Sequence, residues 1–128
     1  MQKQLNAVKL FHTTYGLGVS EEMKADLGTQ KNNLRFELMK EENEEYLEAV
    51  QNNDLIEIAD ALGDMLYILC GTIIEHGLQD KIETVFDEIQ RSNMSKLGED
   101  GKPIYREDGK VLKGPNYFKP NIETILEK

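Results

Sequence analysis

The chain has 128 residues, of which 39% are hydrophobic and 30% charged, with a formal net charge of −9 at pH 7. This size and composition predict one globular domain over residues 1–128, while the negative charge argues against nucleic-acid binding. One cysteine excludes an intramolecular disulfide, and no apolar run reaches the about 20 residues of a membrane span. Because the N-terminus also lacks a signal-peptide core, we expect a cytoplasmic protein with no membrane partner.

The first half of the chain predicts two helices. Residues 2–15 carry apolar side chains at helical spacing and end at Gly16. Residues 16–32 are predicted to be irregular, with one helical turn after Ser20. Residues 34–50 contain good helix formers without glycine or proline and predict a long second helix.

Two capping patterns predict the starts of the next helices. Asp54 with Glu57, and then Asp80 with Glu83, have the spacing of a capping box. The third helix is predicted to run to about His76 and the fourth to about residue 94, with an apolar stripe of Ile82, Val85, Phe86 and Ile89.

The remainder predicts an irregular arm and a short last helix. Residues 105–112 read as a small hairpin around Asp108-Gly109, a preferred type I′ turn pair, and a fifth helix follows Pro120. The fold class is therefore all-α: a bundle of about five helices with an irregular C-terminal arm. Because the apolar third helix needs cover on every side, we expect a homodimer or homotetramer.

Several carboxylates lie where an apolar side chain is expected. Glu42 and Glu45 continue the apolar stripe of the second helix, and Asp60 and Asp64 share a face of the third. Asp64 is the only charged residue between positions 61 and 74. Such a carboxylate should be protonated, paired or bound to a metal.

Packing the two acidic helices against each other would bring these carboxylates together. They would repel unless they are protonated or bridged by cations. A set of ligands made only of oxygens suits Mg²⁺ or Mn²⁺, and the sequence has no Cys/His cluster for zinc and no calcium-binding loop. For Glu57 and Asp60, helix-start roles compete with ligation.

The charge of the chain is unevenly distributed. Residues 37–64 contain ten acidic side chains and one basic one, whereas residues 91–119 contain seven basic and four acidic ones. A positive surface beside a negative one would hold a phosphate ester together with its counter-cations.

Four motifs in order carry a family resemblance: EENEE (residues 41–45), GDMLY (63–67), NMSK (93–96) and DGKVLKGP (108–115). Together they resemble the MazG-like and phosphoribosyl-ATP-pyrophosphohydrolase-like all-α nucleotide pyrophosphatases, in the branch with bacterial dUTPase-like house-cleaning enzymes. The resemblance extends from about residue 34 to about residue 125.

The resemblance implies hydrolysis of a nucleoside triphosphate between its α and β phosphates, with Mg²⁺ as cofactor, by a homodimer or homotetramer. By position, it makes Glu42 and Glu45 metal ligands of the second helix and Asp64 a ligand of the third. Glu41 becomes a further ligand or the group that polarises the attacking water.

One position departs from the family pattern. The family has a glutamate three residues before the aspartate, and here that position is Ala61. Asp60 would replace it as a metal ligand, or Glu57 with Asp60 would satisfy the motif one turn earlier. We favour Asp60 with Asp64, which leaves the number of metal ions open.

An amide and three basic side chains, from the end of the fourth helix and from the arm, are the candidates for holding phosphates. Asn93 and Lys96 continue the apolar stripe of the fourth helix, and Lys110 and Lys113 lie in the DGKVLKGP motif. Two other hypotheses remain: a non-catalytic helical interaction module, and a nucleotide-binding descendant that has lost turnover. The sequence does not identify the nucleobase of the substrate. We expect a (d)NTP, and dUTP is one example.

Overall fold

The computed structural model describes all 128 residues and contains five helices and no β-strand, so the all-α prediction is confirmed. The helices are α1 (Gln2–Thr14), α2 (Thr29–Gln51), α3 (Leu55–Glu75), α4 (Ile82–Met94) and α5 (Ile122–Glu127). None of them combines the length and apolarity that crossing a membrane demands. The chain divides into two compact units, Met1–Asp80 and Lys81–Lys128. The single domain over residues 1–128 that the sequence indicates therefore stays a prediction.

The first unit is built around an antiparallel hairpin of α2 and α3, with α1 packed on α3. The hairpin turn occupies residues 52–54, and Asn53 adopts a left-handed backbone conformation there (φ 53°). As predicted, Asp54 caps α3, because its carboxylate accepts a hydrogen bond from the Glu57 N–H at 3.1 Å. The helix ends as predicted, with His76 as C-cap and Gly77 in the left-handed region (φ 72°).

Helix α2 begins five residues earlier than predicted, and no helical turn follows Ser20. Side chains outside the apolar pattern set this start. Asp26 accepts hydrogen bonds from the Gly28 N–H at 2.8 Å and the Asn32 amide at 2.9 Å. Gly28 is the N-cap with φ 92°, a conformation that glycine adopts readily.

A buried polar network fixes α2 against the end of α3. Arg35 donates hydrogen bonds to the Ile68 carbonyl (2.8 Å) and to the Thr72 hydroxyl (3.0 Å). Its guanidinium also pairs with Glu75 at 3.2 Å, and Lys31 pairs with the other oxygen of Glu75 at 3.2 Å. The network holds the helices in one register, because shifting α2 would leave a buried charge unpaired.

The two glycines of α3 should respond oppositely to substitution by alanine. A Cβ at Gly71 would lie 2.7 Å from Arg35 Nη2 and from His12 Nε2, so G71A should destabilise the fold by about 1–3 kcal/mol. A Cβ at Gly63 meets nothing within 4 Å, so G63A should stabilise it by about 0.5–1 kcal/mol. Urea denaturation measures both, and equal effects of the two substitutions would contradict the packing described.

The second unit contains α4, the arm and α5. Lys81 is the N-cap of α4 and makes no side-chain cap, so the predicted Asp80 cap is wrong: Asp80 lies in the turn before it. Helix α4 packs against α5. Ser92 donates a hydrogen bond to the Phe118 carbonyl at 2.8 Å, which fastens the end of the arm to α4. Within the predicted stripe, Phe86 is 64% exposed.

The predicted hairpin is present as a single antiparallel bridge between Tyr105 and Val111. Its turn type is not the predicted I′, which requires positive φ at both central residues. Only Gly109 has positive φ (89°), and its N–H donates to the Arg106 carbonyl at 2.9 Å. Asp108 instead accepts a hydrogen bond from the Arg106 side chain at 2.9 Å.

Candidate metal centre

The hairpin of α2 and α3 brings three of the predicted ligands together. Glu42 and Glu45, three residues apart on α2, meet Asp64 from α3, and one carboxylate oxygen from each lies within 4.8 Å of the others. We call these three residues the carboxylate cluster. Its geometry follows from the sequence, because the acid-bearing stripes occupy the faces through which antiparallel helices pack.

The cluster is electrostatically strained as a set of bare carboxylates. Burial, together with the neighbouring carboxylates of Glu45, Asp64 and Asp60, raises the pKa of Glu42 to about 7. Burial, followed by repulsion from Asp60 and Glu45, also raises the pKa of Asp64. No ion pair involves any member of the cluster. Its negative charge therefore lacks compensation from a basic side chain.

The residues present fit a hard divalent cation. Glu42 Oε2 is buried and has no hydrogen-bond partner, which is the state expected of an oxygen reserved for a ligand. Each of the three residues contributes a carboxylate oxygen, the donor type that Mg²⁺ and Mn²⁺ prefer. A cation there would compensate the charge and give the orphaned oxygen a partner.

The other predicted acidic residues lie outside this group. Asp60 is exposed and acts on the pKa of both Glu42 and Asp64, so it neighbours the cluster without joining it. Glu41 is exposed on α2, four residues before Glu45. The structure thus separates a set of three converging oxygens from two flanking carboxylates.

A cavity of about 510 Å³ lies between the C-terminal half of α2 and the N-terminal half of α3. Its lining includes five acidic side chains: Glu45, Glu48, Asp54, Glu57 and Asp60. The second half of the predicted capping box is not formed, because the Asp54 N–H donates to the Ala49 carbonyl at 3.1 Å instead. Glu57 is therefore available to the cavity.

Ala61, the departure from the family pattern, lines the same cavity and is buried. Its methyl group stands where the family pattern has a carboxylate, in a cavity that Glu45 and Asp60 also line. Glu48, which the sequence did not single out as a site residue, is exposed and also lines this cavity. Its position three residues after Glu45 was the signal that could have found it.

The predicted phosphate-binding residues belong to the second unit. Asn93, Lys110 and Lys113 are exposed and Lys96 is half-buried. The Lys113 ammonium lies 4.9 Å from the centre of the Tyr117 ring, a cation–π contact. Their role in binding substrate stays a prediction.

The fold and the cluster define an all-α protein with a carboxylate centre suited to a divalent cation. The family model for phosphoribosyl-ATP pyrophosphohydrolase matches residues 8–93, and the chain belongs to this family. A similar solved structure, from Exiguobacterium sp. 255-15, is described as a candidate NTP pyrophosphohydrolase. It shares 26% identity and a TM-score of 0.53, with 97% of this chain and 94% of the other covered. Among curated proteins, none matches.

Proposed function

We propose that the protein is a metal-dependent nucleoside triphosphate pyrophosphohydrolase, which cleaves between the α and β phosphates to release a monophosphate and pyrophosphate. The carboxylate cluster is the observation that carries this proposal, because it has three converging oxygens and no basic partner. Membership of a pyrophosphohydrolase family and the description of the similar structure support it. House-cleaning of (d)NTPs, dUTP among them, is the biological role that we propose.

The chain's own residues would divide the work among them. Glu42, Glu45 and Asp64 would hold the cation, with Asp60 as an outer or additional ligand. When bound, Mg²⁺ supplies neutralisation of the phosphate charge and a lowered pKa of bound water. Glu41, beside Glu45, would accept the proton of the attacking water. Asn93, Lys96, Lys110 and Lys113 would hold the phosphates that leave.

Hydrolysis in ¹⁸O-labelled water tests the bond that is cleaved. Attack of water on the α phosphorus breaks the α–β bridge, so the label should appear in the monophosphate, and ³¹P NMR should show unlabelled pyrophosphate. Label in pyrophosphate would place the attack on the β phosphorus. Release of orthophosphate without pyrophosphate would contradict the proposed reaction.

Two alternatives follow from specific features. Because Ala61 removes one expected carboxylate from the cavity wall, a nucleotide-binding protein without turnover is the second candidate. Calorimetry that shows Mg²⁺-dependent nucleotide binding, without any hydrolysis across a panel of (d)NTPs, would select it. A non-catalytic interaction module would instead show no effect of divalent cations on thermal stability.

We also propose that the protein is a cytoplasmic homodimer or homotetramer. One face of α3 carries the exposed side chains Leu55, Leu62, Leu66 and Leu69, with no charged residue among them. A hollow of about 330 Å³ there is lined by Met39, Met65, Leu66 and Leu69. A continuous apolar face of this kind is typical of subunit interfaces.

Light scattering after size-exclusion chromatography should give twice or four times the 14.7 kDa chain mass. L62E should shift the protein towards monomer, because it places a charge in the apolar face. E44Q, on the exposed side of α2, is the matched control and should leave the mass unchanged. A wild-type protein that is monomeric at micromolar concentration would contradict the proposed assembly.

A further inference from the structure

An exposed group of aromatic rings lies on the same unit as the carboxylate cluster. Phe11 of α1, Tyr15 directly after α1, and Tyr67 of α3 form this aromatic cluster. The Phe11 ring centre lies 4.6 Å from that of Tyr15 and 5.5 Å from that of Tyr67. The three residues are nevertheless 39%, 67% and 41% exposed, respectively. The rings therefore form a surface rather than part of the core.

Tyr67 and Asp64 lie within one turn of α3, which links the aromatic cluster to the carboxylate cluster. Tyr67 follows Asp64 by three residues on α3, which is about 4.5 Å along the helix axis and about 60° around it. The Tyr67 and Phe11 ring planes meet at 87°, so the edge of one ring contacts the face of the other. The ring surface and the carboxylate cluster thus share one short stretch of α3.

We propose that the aromatic cluster is a stacking platform for the nucleobase of the nucleotide whose phosphates approach the carboxylate cluster. This inference rests on the proposed function. In a nucleotide, one ribose separates the base from the α phosphate. A nucleotide whose α phosphate lies at the carboxylates therefore has its base within reach of Tyr67.

Stacking on aromatic side chains accepts every base, because each base has a π face. The buried neighbour His12 takes no part in such recognition, since its ring Nδ1 is paired with the Gly18 carbonyl at 2.8 Å. The platform therefore favours nucleotides over other polyphosphates. Discrimination among the bases would require side chains outside the aromatic cluster.

Calorimetry in Mg²⁺ separates the base from the phosphates. The probes are an α,β-methylene nucleoside triphosphate, which resists α–β cleavage, and inorganic triphosphate. F11L and Y67L should each weaken binding of the nucleotide analogue about 10-fold, within the range for loss of one stacking ring. Binding of inorganic triphosphate should stay unchanged. Y67F should retain affinity because it keeps the ring.

Two further variants guard against misfolding and non-specific effects. Tyr15 is the most exposed of the three rings, so Y15S should fold normally. It should still weaken binding of the nucleotide analogue. Leu10 of α1 is as exposed as Tyr15. L10A should therefore leave the affinity for the nucleotide analogue and for inorganic triphosphate unchanged.

Unchanged analogue affinity in F11L and Y67L would overturn the platform, as would an equal loss for both probes. A change of oligomeric state with unchanged affinity would also overturn it and assign the rings to a subunit interface. Equal affinity of the wild type for both probes would overturn the stacking platform but leave the proposed function in place. A wild type that binds neither probe would overturn the proposed function itself.

Discussion

Replacing Asp64 by asparagine should lower the rate of pyrophosphate release by at least about 100-fold, since even outer-shell partners of a metal typically contribute 10–100-fold. The substitution keeps the size of the side chain but removes its charge, and Asp64 is the contribution of α3 to the cluster. E45Q should have a similar effect from α2. Initial rates at saturating Mg²⁺, measured with a coupled pyrophosphate assay, provide the comparison.

The matched control for these variants is E44Q, one position from Glu45 and exposed on α2. It removes the same charge from the same helix and should retain nearly full activity. Far-ultraviolet circular dichroism should show unchanged helix content in all three variants. Full activity in D64N or E45Q would rule out the assigned ligands.

Without divalent cations, the stability of the protein should fall as pH rises from about 4.5 to about 7. The pKa of Glu42 is raised from 4.5 to about 7 in the folded protein, so folding retains a proton that the unfolded chain releases. This contribution is fully present below pH 4.5 and is lost as pH rises through 7. Urea denaturation at pH 5 and pH 8 measures the difference.

Mg²⁺ should reverse this loss at pH 8, because the cation takes the place of the proton. At 100 times its dissociation constant, a ligand that binds only the folded state adds about 2.7 kcal/mol to the free energy of unfolding. E42Q should weaken both the pH dependence and the stabilisation by Mg²⁺. If Mg²⁺ left the free energy of unfolding of the wild type unchanged at pH 8, the carboxylate cluster would not need a cation to compensate its charge.

The helical pattern predicted the hairpin and the cluster because both depend on periodicity. Glu42 and Glu45 occupy stripe positions that face α3, and Asp64 interrupts an apolar helix. Helical spacing alone was enough to place these three side chains on facing surfaces. The Asp54 cap was equally local, since donor and acceptor are three residues apart.

The features that the sequence did not predict depend on contacts between distant residues or on competing local hydrogen bonds. Arg35 reads as a surface residue of an acidic helix, yet it is buried through bonds to residues 33 and 37 positions away. Asp80 has the spacing of a cap, but the turn before α4 places Lys81 there. The turn departs from type I′ because the Arg106 N–H bonds to the Lys110 carbonyl, which makes a three-residue loop in which only Gly109 needs positive φ.

A crystal structure of the protein with Mn²⁺, phased to locate anomalous scattering, tests the central claim most directly. We expect an anomalous peak within coordination distance of carboxylate oxygens from Glu42, Glu45 and Asp64, and loss of that peak in D64N. The claim would be contradicted by a map at saturating Mn²⁺ that shows no peak there, with these side chains turned to solvent or paired with basic residues.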